Sequence, residues 1–117
     1  MQQVSIRIVP SQPAEIAPIY GDHLSGGDML VATCLAAAAQ GDHSAYFDLG
    51  VAYSTGSHGV DCDLIEAHKW FNLAAVSGHE DAAMCRHDVA EEMTAREIAE
   101  AQRRAREWLR AETRRAA

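Results

Sequence analysis

Residues 41–82 read GDHSAYFDLGVAYSTGSHGVDCDLIEAHKWFNLAAVSGHEDA, and the two ends of this stretch repeat one another. Gly41 recurs as Gly78 after 37 residues, and at the same offset Ala37 falls on Ala74, Ala38 on Ala75 and Ala45 on Ala82. Each apolar run therefore ends in Ala-Ala-x-x-Gly. Glycine tolerates the left-handed backbone conformation that closes a helix, and a short link to the next apolar run makes successive helices antiparallel. Self-similarity at such a spacing is the mark of stacked helical hairpins.

Working outward, the helix starts are marked as well. Asp63-Leu64-Ile65-Glu66 and Thr94-Ala95-Arg96-Glu97 both have the form of a capping box, in which the first side chain accepts from a free amide and the glutamate reaches back. These signals predict five helices, at Met29 to Gln40, His43 to Thr55, Leu64 to Ser77, Glu80 to Glu92 and Ala95 to Thr113. In the last, Ile98, Ala101, Ala105, Trp108 and Glu112 recur at steps of three and four, leaving one apolar stripe and one basic face. At 1.5 Å per residue it is roughly 28 Å long, enough to cover the end of a stack. Before the helices, Val4 to Val9 alternates apolar and polar like a strand. Pro10, Pro13 and Pro18 follow, so residues 1–27 read as an N-terminal arm and loop, either an extended arm or a short helical turn from Pro13 to Ile19 packed on the body, with Gly21, Gly26 and Gly27 marking the loop. Residues 28–117 read as the helical-repeat domain: a half unit at 28–40, a full unit at 41–77 and a capping unit at 78–114.

Size and composition agree with one domain. The chain has 117 residues, of which 48% are hydrophobic and 23% charged, too apolar for a disordered protein. No run approaches the roughly 18 apolar residues of a membrane span, and the N-terminus has no secretory-signal pattern, so a cytoplasmic location is expected. Three cysteines at unrelated spacings fit reduced thiols rather than a disulfide framework. The net charge of -7 is unevenly distributed. Residues 1–93 hold 3 Lys/Arg against 13 Asp/Glu, giving -10, and residues 94–117 hold 7 against 4, giving +3. Such a body repels nucleic acid, and its basic tail invites a basic partner for the body or self-association through opposite patches.

Within the central unit, Ala45, Leu49-Gly50, Tyr53, Gly56, Gly59-Val60, Asp63, Ala67, Trp70, Ala74-Ala75, Gly78 and Ala82 stand in the order and spacing of the Sel-one-like repeats, a family this chain resembles. The likeness covers residues 41–82 fully and the flanking units in part. It implies an all-α fold, with antiparallel helical hairpins stacked as a short right-handed solenoid like the tetratricopeptide repeats. It also implies use as a platform for protein partners, as in bacterial signalling and assembly proteins. Independently of the family, the small residues Ala45, Gly50, Ala67, Ala74 and Ala75 suit close helix packing, and Tyr53, Trp70 and Phe71 supply volume. Leu49, Gly78 and Trp108 complete the expected core set. The third unit departs from the pattern: Arg86 and His87 stand where the central unit has Leu49 and Gly50, and Trp108 is shifted by one residue from Trp70. A terminal unit, which must face water on one side, accounts for this.

In the stack that the resemblance implies, the first helix of each pair lines the concave surface. Its unclaimed side chains on the first such helix are Ser44, Phe47, Asp48, Val51 and Ser54. Thirty-seven residues on they become Asp81, Met84, Cys85, Asp88 and Glu91. That lining is apolar at one end and acidic at the other, which suits a protein or peptide partner with one hydrophobic anchor and basic flanks. Metal and catalytic readings are weaker. Cys85 and His87, two apart on a helix, point about 200° away from each other, so they make a poor shared site with His58 and Cys62. Cys62 beside His58 has no orienting group or oxyanion site in the sequence. Lys69, the one lysine, sits mid-helix outside any phosphate-binding pattern. The expectation is a non-catalytic interaction module without metal or cofactor. A self-associating scaffold and a metal- or redox-responsive sensor using Cys62, Cys85 and nearby histidines are the rivals.

Overall fold

The computed structural model describes residues 26–116. The strand-like alternation at Val4 to Val9 and the alternatives of an extended arm or a helical turn at Pro13 to Ile19 lie outside the described residues. Five α-helices follow: α1 (Gly26–Ala39), α2 (Ser44–Thr55), α3 (Leu64–Val76), α4 (Ala82–Ala90) and α5 (Ala95–Ala116), with a 3-10 turn at Ser57–Gly59 between α2 and α3. No strand occurs among the described residues, and the helices form an all-α bundle. Helix α3 is its hub: α2, α4 and α5 all pack on it, while α1 packs on α2 and the 3-10 turn. Helices α4 and α5 make little contact with one another.

The 37-residue repeat is present in the hydrogen bonding of the two helix-to-helix turns. Gly41 and Gly78 have φ of 95° and 102°, the left-handed conformation that only glycine adopts without strain. The Gly41 and Gly78 amides donate to Ala38 O and Ala75 O at 3.0 and 3.1 Å, and those of Asp42 and His79 to Ala37 O and Ala74 O at 3.0 Å. This pair of bonds is the Schellman closure of a helix. Even the next step matches: Asp42 Oδ1 accepts from the Ser44 amide, and His79 Nδ1 from the Asp81 amide, both at 3.2 Å. Gly78, expected among the core residues, is exposed; its role is conformational, not volumetric.

The predicted starts of α3 and α5 hold, with one difference. Thr94 and Glu97 cap α5 reciprocally, at 2.9 and 3.1 Å. Asp63 accepts from the Glu66 amide at 3.1 Å, but the Glu66 carboxylate turns away to α5 instead of back to the cap. Helix α1 begins three residues before the predicted Met29, inside what the sequence marks as loop glycines. A side chain at Gly27 would put its Cβ 2.6 Å from the carbonyl carbon of Gly59, so glycine there lets α1 lie against the 3-10 turn.

The main core joins Cys34 and Ala38 of α1, Tyr46 and Leu49 of α2, Trp70, Leu73 and Ala74 of α3, Ala82 of α4 and Ala105 of α5. Trp70 stands at its centre, 5.7 Å from the Tyr46 ring and 5.0 Å edge-on from Trp108. The Tyr46 hydroxyl donates to Glu112 at 2.9 Å and accepts from Trp108 Nε1 at 3.0 Å, and burial pushes its phenol up to about 12. A second cluster packs Ala67 and Phe71 of α3 against Val89 of α4, with Tyr53 half-buried at its edge. Gly50 makes room for the Phe71 ring, since a Cβ at Gly50 would fall 2.6 Å from Phe71 Cδ1. Ala75 and Trp108, two further expected core residues, are half-buried.

Arg86, which stands where the preceding unit has Leu49, is half-buried and donates to Asn72 Oδ1 at 2.6 Å. Beside it His68 of α3 is only 4% exposed, and its Nδ1 has no hydrogen-bond partner among the described residues. Burial, with the Arg86 charge adding to it, holds the His68 imidazole below its ordinary range and hence neutral. The folded state therefore resists a proton that the unfolded chain accepts at about 6.5. Stability from this group is complete above that value and declines as the pH falls toward the depressed folded value. At about pH 5.5 the expected loss is at most about 1.4 kcal/mol, read as the difference in thermal midpoint between wild type and His68→Leu across pH 5.5 to 7.5. Equal acid sensitivity in the two proteins would remove His68 from the account.

Candidate functional site

Most of the side chains that the sequence assigns to a concave face are in contact with solvent. Ser44, Asp48 and Val51 of α2 are exposed, as are Met84 and Asp88 of α4 and the flanking Asp81 and Glu91. Ser54 is half-buried, its hydroxyl donating to Val51 O at 3.1 Å. Phe47 is different. It stacks on the His79 ring at 4.0 Å and packs against Phe71 at 5.5 Å, half-buried against both clusters. Ser44 and Phe47 thus lean on the α3–α4 turn, whereas Asp48 and Val51 line a shallow crevice with Leu30 of α1 and His58.

The most prominent part of this set is the outer face of α4. Met84 is 71% exposed, an unusual position for a thioether in a chain of this size. Asp88 follows Met84 by about one helical turn, and the exposed Asp81 and Glu91 cap the two ends of the helix. Among the described residues, Glu91 is matched only by His87, at 3.4 Å, a charged pair when the imidazole is protonated. The opposite side of α4 buries Ala82 and Val89, fixing which face turns outward.

Helix α5 carries the complementary charge, and here the sequence reading was incomplete. Its carboxylates are engaged internally. Glu100 holds Arg103 and Arg104, Glu107 pairs with Arg110 at 2.9 Å, and Glu112 takes the Tyr46 hydroxyl and, at 3.9 Å, Arg115. Arg104 reaches further, to Glu66 Oε2 at 2.7 Å, and Trp70 Nε1 donates to Glu66 Oε1 at 3.1 Å. Lys69 completes this joint, its ammonium 4.2 Å from the Trp70 ring centre; burial pushes its pKa down. Arg96, Arg106 and Arg114 have no ion-pair partner among the described residues and are exposed. Only the alternation of apolar and basic residues in α5 announced them.

Two of the thiols, Cys34 and Cys85, are quiet. Burial pushes the Cys34 thiol up, with Asp48 and Asp42 adding to it, and burial with Asp88 and Asp81 does the same for Cys85. A raised thiol holds little of the nucleophilic thiolate. Cys85 lies in the second cluster while His87 is exposed on the other side of α4, so the two do not converge. Among the described residues no three His, Cys, Asp or Glu side chains gather where they could hold a metal ion. An open groove of about 610 Å³ runs between α1 and the loop after the 3-10 turn, with Val31, Leu35, Tyr53 and Cys62 among its walls. No helix among the described residues is long and apolar enough to cross a membrane.

Among the described residues, fold and surface together define an all-α five-helix bundle in which exposed carboxylates, Asp81, Asp88 and Glu91, mark α4 and its two ends, while α5 is basic, with seven arginines against four glutamates. Compared with models of protein families, with curated proteins and with solved structures, the chain matches none.

Proposed function

We propose that this chain is a non-catalytic protein-interaction module of the Sel-one-like, tetratricopeptide type, acting as a cytoplasmic adaptor or regulator. Support for the repeat reading comes from the two turns 37 residues apart, which share the same glycine conformation and the same backbone and side-chain hydrogen bonds. Helices α2 and α3 form the complete hairpin, and α4 with α5 is a capping unit in which the second helix has moved onto α3. One observation carries the functional reading: an exposed methionine on α4, with exposed Asp88 one turn on and exposed Asp81 and Glu91 at the helix ends. Such a face offers an apolar contact between negative charges, the complement of a helix that presents one large aliphatic residue between arginines.

The test is titration of a synthetic helical peptide, one leucine flanked by arginines, into the purified chain. Binding is expected to weaken at least tenfold in a Met84→Glu, Asp88→Lys variant and to fall with added salt. Equal affinity in the variant would remove the α4 face from the proposal.

A further inference from the structure

Accepting the α4 face as a partner surface, we infer that its occupant is helix α5 of a second copy of this chain, docked head to tail. The arginines Arg106, Arg110 and Arg114 follow one another at four-residue steps along the outside of α5, and Leu109, 39% exposed, lies beside them. That is the ligand described above: an aliphatic side chain among guanidinium groups. Along α5 the three arginines span roughly 12 Å, and Asp81 to Glu91 span roughly 15 Å along α4, so the charges can meet in register. Met84 lies three residues after Asp81, and Leu109 three after Arg106.

Within one molecule the two faces do not meet. Helices α4 and α5 each pack on α3, make little contact with one another, and bury Ala82 with Val89 and Ala101 with Ala105, respectively. Among the described residues neither charged face covers the other, and both are open to a second molecule. Charge arithmetic favours this chain's own surface over a polyphosphate, since residues 26–93 hold 2 Lys/Arg against 11 Asp/Glu, a net -9 that repels an anion approaching the +3 of residues 94–117. A contact between two different patches is heterologous and repeats from copy to copy, so it generates a growing series rather than a closed dimer.

Sedimentation velocity at about 25 mM and about 500 mM salt tests it, because screening at the higher value removes contacts between exposed charges. In low salt the weight-average mass of the wild type should at least double as concentration rises, and it should return to that of the 12.7 kDa monomer in high salt. Reversing α5 (Arg106→Glu, Arg110→Glu) or α4 (Asp88→Arg, Glu91→Arg) should each give a monomer with unchanged helical circular dichroism. Mixing the two variants should restore association, since each then supplies the partner the other needs. Three results would overturn the inference: a wild type monomeric in low salt, reversals that leave the mass unchanged, or two folded variants that fail to associate on mixing. A monomeric wild type that still binds the leucine–arginine peptide on α4 leaves the interaction module standing and removes only the second copy. A monomer retained on RNA through Arg106 and Arg110 instead assigns the arginine face to a polyanion.

Discussion

Trp70→Ala is expected to lower the free energy of unfolding by about 3–5 kcal/mol, measured by chemical denaturation. The indole is 2% exposed and fills the space between α2, α3 and α5, touching the Tyr46 and Trp108 rings. Its removal deletes that volume and leaves Tyr46 and Trp108 facing a cavity too well walled to collapse. Small domains have about 5–15 kcal/mol in hand, so the variant should lie near the edge of folding. A loss under about 1 kcal/mol would mean that the indole is not enclosed as described.

Glu66→Ala should cost about 2 kcal/mol by the same measurement, although the residue lies at the rim of the core. Its carboxylate accepts from Trp70 Nε1 and Arg104 and lies 3.7 Å from Lys69 Nζ, so one deletion leaves three donors short of a partner. The figure lies below the roughly 3–5 kcal/mol of a fully buried pair because the Arg104 side chain is 36% exposed and water compensates part of the loss. Arg104→Ala should be milder, and the double variant should cost less than the two singles together. Strict additivity would show that Glu66 does not hold α5 onto α3.

How much of this could be read from the chain alone follows from the range of each interaction. Helix limits are set within a turn or two, and Asp63, Thr94, Gly41 and Gly78 announced them through local chemistry. All five predicted helices agree with the structure to within three residues at either end. The exception to local legibility at α1 was Gly27, whose need for a missing side chain comes from Gly59, far along the chain. Tyr46 was overlooked for the same reason: its partners Trp108 and Glu112 are 62 and 66 residues away, and no periodicity within α2 separates it from Tyr53. Glu66 has the spacing of a capping residue, and only the position of Arg104 diverts it. In the candidate surface, the exposure of Met84, Asp88 and Glu91 followed from helical spacing, whereas the enclosure of Phe47 depended on the His79 ring brought over by the Gly78 turn. Arg106 and Arg114 were legible as a basic face, but their lack of partners could be seen only once the neighbouring carboxylates were accounted for.

The chain has two tryptophans, and both stand at the joint between α3 and α5, their rings 5.0 Å apart at 74°. Near-ultraviolet absorption and emission from indole consequently carry information about a single place in the molecule. Lifting α5 would change that signal at once, while events on the outer face of α4 would leave it dark. The protein thus comes with its own optical gauge of whether its last helix is seated.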